Sequence, residues 1–113
     1  MPRDSRVYLE DILESTRKIT AYTRGLSKAA FLADEKTFDA VVRNLEVIGE
    51  SVKKIPENLR VQHSTVDWKK IAGLRDILIH EYFGLDAEIV WDIAQNKVPM
   101  LNREVRMMLN DVG

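Results

Sequence analysis

Apolar residues recur along this chain at the three- and four-residue intervals of an α-helix, almost from end to end. Leu9, Ile12, Leu13, Thr16 and Ile19 form a first stripe, with Asp4 or Ser5 placed to cap it and Gly25 to close it. "SKAAFLAD" reads as a short helical turn or loop. Asp34 then caps a second long helix whose face is Phe38, Val41, Val42, Leu45, Ile48, Val52 and Ile55. Pro56 ends it and opens a short turn running to about His63. Asp67 caps a third long helix, which Gly84 is placed to close. Asp86 caps the segment "AEIVWDIAQNK". Pro99 either kinks that segment or starts the last helix, which carries Leu101, Val105, Met108 and Leu109 on one face. No period-two alternation and no internal repeat interrupts this pattern. It predicts one all-α domain over residues 1–113, an antiparallel bundle of four main helices plus one or two short ones.

Composition narrows the function more than the fold. The chain of 113 residues has a formal net charge of −1, so it carries no bulk basic footprint. Any contact with RNA or DNA must be made by a local site or an assembled groove. There is no cysteine, which excludes disulfides, thiolate metal sites and cysteine nucleophiles. The start, "MPRDSRVYLED", is charged and has no apolar signal core, and no apolar run approaches the ~20 residues that span a bilayer. A cytoplasmic protein that makes no use of a membrane is expected.

The third long helix is unusual. In "RDILIHEYFGLD", residues 75–86, an arginine, an aspartate, a histidine and a tyrosine are threaded through leucine and isoleucine. At about 100° per residue, Ile71, Leu74, Ile77 and Leu78 cover one arc, and Ala72, Ile79 and Phe83 cover another. Two apolar arcs imply packing on two sides: the protomer's own core, and a second protomer. Arg75 and Tyr82 share the strip between the arcs, and Asp76 and His80, four apart, share a neighbouring one. Arg75 and His80 lie roughly 140° apart around a regular helix, so they do not point the same way: either the long guanidinium swings as the helix loosens toward Gly84, or the two cooperate across a two-fold axis.

Histidine gives or takes a proton near neutral pH, and arginine holds phosphate oxygens with a two-donor fork. Together they suit attack of a ribose 2′-hydroxyl on its own phosphate, with the arginine stabilising charge on phosphorus. Asp76 is placed to orient the imidazole. A structural histidine beside an Arg–Asp ion pair, with Tyr82 as an anchor whose hydroxyl stays in water, accounts for the same residues without chemistry.

The order of several stretches decides between these readings. "RDILIHEY" matches the arginine, four residues, histidine, one residue, tyrosine pattern of HEPN-domain ribonuclease toxins. "FDAVVRNLEVIGES", "WKKIAGLRD", "HEYFGLD" and "VWDIAQNKVPML" resemble, in order, the corresponding stretches of their HepT-like group. The resemblance spans about residues 5–105. It implies a HEPN-like helical homodimer with catalytic Arg75 and His80 at a shared cleft, supported by Asp76. It implies RNA cleavage with neither metal nor cofactor. It also implies a partner, a nucleotidyltransferase antitoxin of the MntA type that transfers AMP to Tyr82. Adenylylation would block RNA by bulk and charge beside Arg75.

Elsewhere, Arg43, Glu46 and Glu50 lie off the apolar stripe of the second helix. They form either a solvated face with weak ion pairs or, as the resemblance implies for "RNLE", support for Arg75 or a dimer contact. His63 is expected at the surface, with no further metal ligands in view. Trp68 and Trp91 are expected to pack in the bundle, Trp91 alternatively at the dimer seam. Lys53, Lys54, Arg60, Lys69 and Lys70 either fringe an RNA groove or simply solubilise. The alternative to a nuclease is a non-catalytic helical dimer that binds nucleotide or docks the nucleotidyltransferase.

Overall fold

The computed structural model describes residues 4–80 and 86–112, and of residues 75–80 and 112 the backbone alone. Helices α1 (Ser5–Thr23), α2 (Lys28–Leu32), α3 (Glu35–Val52), α4 (Glu57–Gln62) and α5 (Trp68–His80) follow one another. They are followed by α6 (Ala87–Asp92), a wide π turn (Ile93–Lys97) and α7 (Val98–Val112), with no strand among the described residues.

The caps are those the sequence predicts. Carboxylates of Asp4, Asp34, Asp67 and Asp86 accept hydrogen bonds from the backbone N–H groups of Arg6 (2.9 Å), Thr37 (3.0 Å), Lys70 (3.1 Å) and Glu88 (2.9 Å). Each satisfies an amide that has no partner within its helix. Gly25 turns the chain after α1 at φ 77°, a left-handed conformation that an L side chain resists. Gly84, expected to close α5, lies outside the described residues.

Pro99 neither breaks the last helix nor starts it abruptly. Proline cannot donate the usual bond to residue 95, and its ring crowds that carbonyl. The chain answers by widening: the Val98 N–H reaches back five residues to the carbonyl of Ile93. Helix α6 therefore runs through the π turn into α7. Among the described residues the bundle has four long helical runs and two short pieces, α2 and α4.

Helix α1 packs against α3 and α7, and α3 packs against α5. Leu9, Ile12, Thr16 and Ile19 of α1 are buried against Val41, Leu45, Ile48 and Val52 of α3 and Val98, Leu101, Val105 and Met108 of α7. Phe38 and Leu13 sit at the margin of this core. Phe31, the one buried side chain of α2, packs at a tilt between Phe38 and Trp91, with ring centroids 6.0 and 5.1 Å away. Among the described residues two polar contacts join α1 to the last helical run. Asn102 donates to the Thr16 hydroxyl at 2.8 Å, and Gln95 donates to the Thr23 hydroxyl at 3.3 Å. Residue numbers fall on one side as they rise on the other, so α1 and α7 run antiparallel.

Candidate functional site

Helix α5 is fixed at its start from three directions. Asp67 caps it, Trp68 is buried, and the indole N–H of Trp68 donates to the backbone carbonyl of His63 at 2.9 Å. From that anchor the helix runs along α3. Arg75, Asp76 and His80 all lie on its backbone, with Arg75 one turn beyond Ile71. Their side chains, and Tyr82 altogether, lie outside the described residues.

Of the two apolar arcs expected of α5, only Ile71, Ala72 and Leu74 lie within the described side chains, and all three pack against the core. The helix lies along α3, and Ile71 and Leu74 also form one wall of a groove of about 480 Å³. Thr65, Val66 and Asp67 close one end, and Ile89, Ile93, Lys97, Met100 and Leu101 form the opposite wall. The groove is mostly apolar, with Lys70 on one wall and Lys97 on the other. It opens beside the helix that carries Arg75 and His80.

The lysines and arginines expected to fringe an RNA groove are divided. Arg60 and Lys69 border a second hollow of about 510 Å³ together with Glu57 and Asp67. The buried Nε of Arg60 has no hydrogen-bond partner among the described residues. Lys70 belongs to the apolar groove instead, and Lys53 and Lys54 lie exposed just after α3.

Arg43 and Glu46 form an ion pair of 3.8 Å on α3, with side chains 75% and 25% exposed. Among the described residues Arg43 has no other charged partner, which is the geometry of a solvated pair of small energetic weight. Glu50 is exposed on the same helix. Trp91 packs on Phe31 rather than standing clear of the bundle.

His63 departs from expectation. It is 8% exposed, not a surface residue. Its Nδ1 lies 2.8 Å from a Glu104 carboxylate oxygen, and its Nε2 lies 2.9 Å from one of Asp111. Burial opposes charge on the ring, but hydrogen bonds to Glu104 and Asp111 outweigh it and raise the His63 pKa above the ordinary histidine value. His63 clasps the end of α4 to the far end of α7. The sequence offered no local sign of this, since both carboxylates lie more than forty residues downstream.

Among the described residues no group of three histidine, aspartate or glutamate side chains converges as metal ligands. No helix among them is long and apolar enough to cross a membrane.

Comparison with known proteins gives these features a setting. The family model described as "Ribonuclease HepT-like" matches residues 12–108, a span that includes every motif residue of α5. A protein of Methanocaldococcus jannaschii named "Putative RNase" is 47% identical over 99% of this chain and 93% of its own length. One of Thermococcus cleftensis, named "Probable ribonuclease HepT", is 42% identical over 89% of this chain and 92% of its own. One of Caldanaerobacter subterraneus subsp. tengcongensis, also named as an RNase of the "Putative" kind, is 43% identical over 92% and 93%. No solved structure matches the chain.

Proposed function

Because this chain belongs to the HepT-like ribonuclease family, we propose that it is a metal-independent endoribonuclease and the toxin of a toxin–antitoxin pair. The observation that carries this reading is the near-complete family match around an intact Arg75–His80 motif. Two chains pair so that their α5 helices line one cleft, which receives RNA.

The chemistry is transesterification. The ribose 2′-oxygen bonds to the adjacent phosphorus as the bond from phosphorus to the 5′-oxygen breaks. One His80 takes the proton from the 2′-hydroxyl, and the partner subunit's His80 supplies one to the departing 5′-oxygen. Arg75 holds the phosphate and stabilises the extra negative charge of the five-coordinate state. Asp76, one turn before His80, orients the imidazole. These groups supply acid, base and charge stabilisation together, so the reaction calls on no metal and no cofactor. Arg43 and Glu46, paired on α3, act at most on the outer margin of this cleft.

Control falls to Tyr82. A nucleotidyltransferase antitoxin of the MntA type joins the tyrosine oxygen to the α-phosphorus of ATP, and pyrophosphate leaves. The attached AMP places negative charge and bulk where RNA phosphate would bind. The enzyme acts in the cytoplasm, where its RNA substrate lies.

The test is cleavage of total RNA by purified wild type, Arg75→Ala and His80→Ala proteins in the presence of EDTA. Wild type is expected to cut, with both variants folded and at least about 100-fold slower, as for loss of a transition-state charge stabiliser in Arg75→Ala and of a general acid–base group in His80→Ala. Full activity in either variant would refute the assignment. Binding of nucleotide or nucleotidyltransferase with no RNA cleavage by wild type would favour the non-catalytic dimer instead.

A further inference from the structure

Helix α5 carries the motif residues, and its hold on the rest of the bundle is uneven. It packs along α3, while the apolar groove parts Ile71 and Leu74 from Met100 and Leu101 of α7. At its first turn α5 is joined to α7 by another route. The backbone carbonyl of His63 accepts from the indole N–H of Trp68, the first residue of α5, at 2.9 Å, and from the Val66 N–H at 3.3 Å. The His63 N–H donates in turn to the Arg60 carbonyl of α4 at 3.1 Å. The ring of the same residue bonds Glu104 and Asp111 of α7, at 2.8 and 2.9 Å. One residue thus joins the foot of α5 to α4 and α7 at once.

A helix of this length is stiff, so its direction is set where it is clamped. At about 1.5 Å per residue, Arg75 stands roughly 10 Å and His80 roughly 18 Å along the axis from Trp68. A tilt of about 3° at the foot therefore moves the His80 backbone by roughly 1 Å. A shift of about 1 Å in reacting groups costs up to about 100-fold in rate. Trp68 and His63 are both buried, so the elbow between them has little room to yield.

We propose that His63 is a positioning residue for the motif helix: by tying Trp68 to Glu104 and Asp111, it fixes the direction in which α5 presents Arg75 and His80. It acts through α5 and not on the RNA. This role presupposes the nuclease reading above. It is separate from the stability that the same contacts supply, since a bundle weakened elsewhere keeps α5 aimed.

The test measures kcat and KM for RNA cleavage by wild type, His63→Gln, Trp68→Phe, their double variant and Glu104→Gln. Ile19→Ala, a truncation of a fully buried α1 side chain, serves as a control destabilised at least as far. Urea unfolding sets one condition at which every variant is folded, and amide hydrogen exchange follows α5 there. His63→Gln and Trp68→Phe are each expected to lower kcat about 10-fold with KM within about twofold. The double variant should fall no lower than the weaker single, because both cut one tie. Glu104→Gln, the mildest change, should fall between these and wild type, and Ile19→Ala should keep the wild-type kcat. The α5 amides should exchange faster in His63→Gln. Wild-type kcat in both folded elbow variants overturns the role, and so does an equal fall in Ile19→Ala. Unchanged α5 exchange in His63→Gln overturns the brace while RNA cleavage by wild type keeps the nuclease reading. A wild type that cuts no RNA overturns that reading and the positioning role with it.

Discussion

His63 offers a quantitative test of the packing because its environment is so one-sided. Its ring is buried between two carboxylates on α7, at 2.8 Å from Glu104 and 2.9 Å from Asp111. The Glu104 side chain is 13% exposed, so that bond is worth about 1.5–3 kcal/mol as a charge-assisted hydrogen bond. Asp111 is 53% exposed, and solvent screening holds its share below about 1 kcal/mol. Burial of the charged ring offsets part of this gain, leaving a net near 2 kcal/mol. A neutral ring has one N–H and donates to only one carboxylate, so the other then faces a lone pair.

The pH dependence follows in sign. The folded pKa is raised above the unfolded value, so the folded state binds the proton more tightly. The contribution is complete below about pH 6.5, the unfolded pKa, and is lost as pH rises through the higher folded value. His63→Gln removes the titrating group. Urea unfolding of both proteins from about pH 5.5 to 8.5 should show wild type ahead by about 2 kcal/mol at the acid end, with the gap narrowing at the alkaline end. In melting temperature this amounts to roughly 8 °C at the acid end. Glu104→Gln in wild type should flatten the dependence. A gap between wild type and His63→Gln that is constant with pH, or that widens at alkaline pH, would refute the reasoning.

Other perturbations follow from the same packing. Gly73 lies inside α5, and among the described residues nothing beyond its chain neighbours and its own helix backbone comes within 4 Å of where a Cβ would stand, so Gly73→Ala should stabilise the protein by about 0.5–1 kcal/mol in urea unfolding. Leu45→Ala removes a side chain 1% exposed at the centre of the core and should cost about 2–5 kcal/mol by the same measurement. Thr16→Val keeps the shape of a fully buried residue but leaves the Asn102 amide without its 2.8 Å acceptor, and should cost about 1–3 kcal/mol by thermal unfolding. Asn102→Leu in the Thr16→Val background should recover part of that loss.

The long helices were legible because their apolar spacing is set by the helix itself, and the burial of Leu9, Ile12 and Ile19 or of Val41, Leu45 and Ile48 follows it. The aspartate caps were legible for the same local reason: a carboxylate needs only an amide two or three residues ahead. Pro99 was ambiguous because its outcome depends on whether the preceding turn can widen, which the tertiary contacts of α6 and α7 decide. His63 and the groove were hidden because each is made by residues far apart in the chain. The chemistry proposed for Arg75 and His80 rests on the order of the family stretches around them, since their types and spacing alone equally fit a structural histidine beside an ion pair. The cleft proposed for them calls for a second chain, which no single sequence displays.

The two polar contacts between α1 and the last helical run also bear on how this bundle finds its alignment. Smooth apolar stripes can slide along one another by a turn or a heptad and still bury similar area. Thr16 and Thr23 are seven residues apart, and so are their partners Asn102 and Gln95. A one-heptad slip would therefore rebuild a single contact, Thr23 against Asn102, and leave the Thr16 hydroxyl facing Leu109 and the Gln95 amide unmatched. A slip of one turn would rebuild neither. The pair works like two teeth of a key cut at equal pitch, each displaced fit losing at least one tooth, so hydrophobic burial sets how strongly these helices associate and two amides set where.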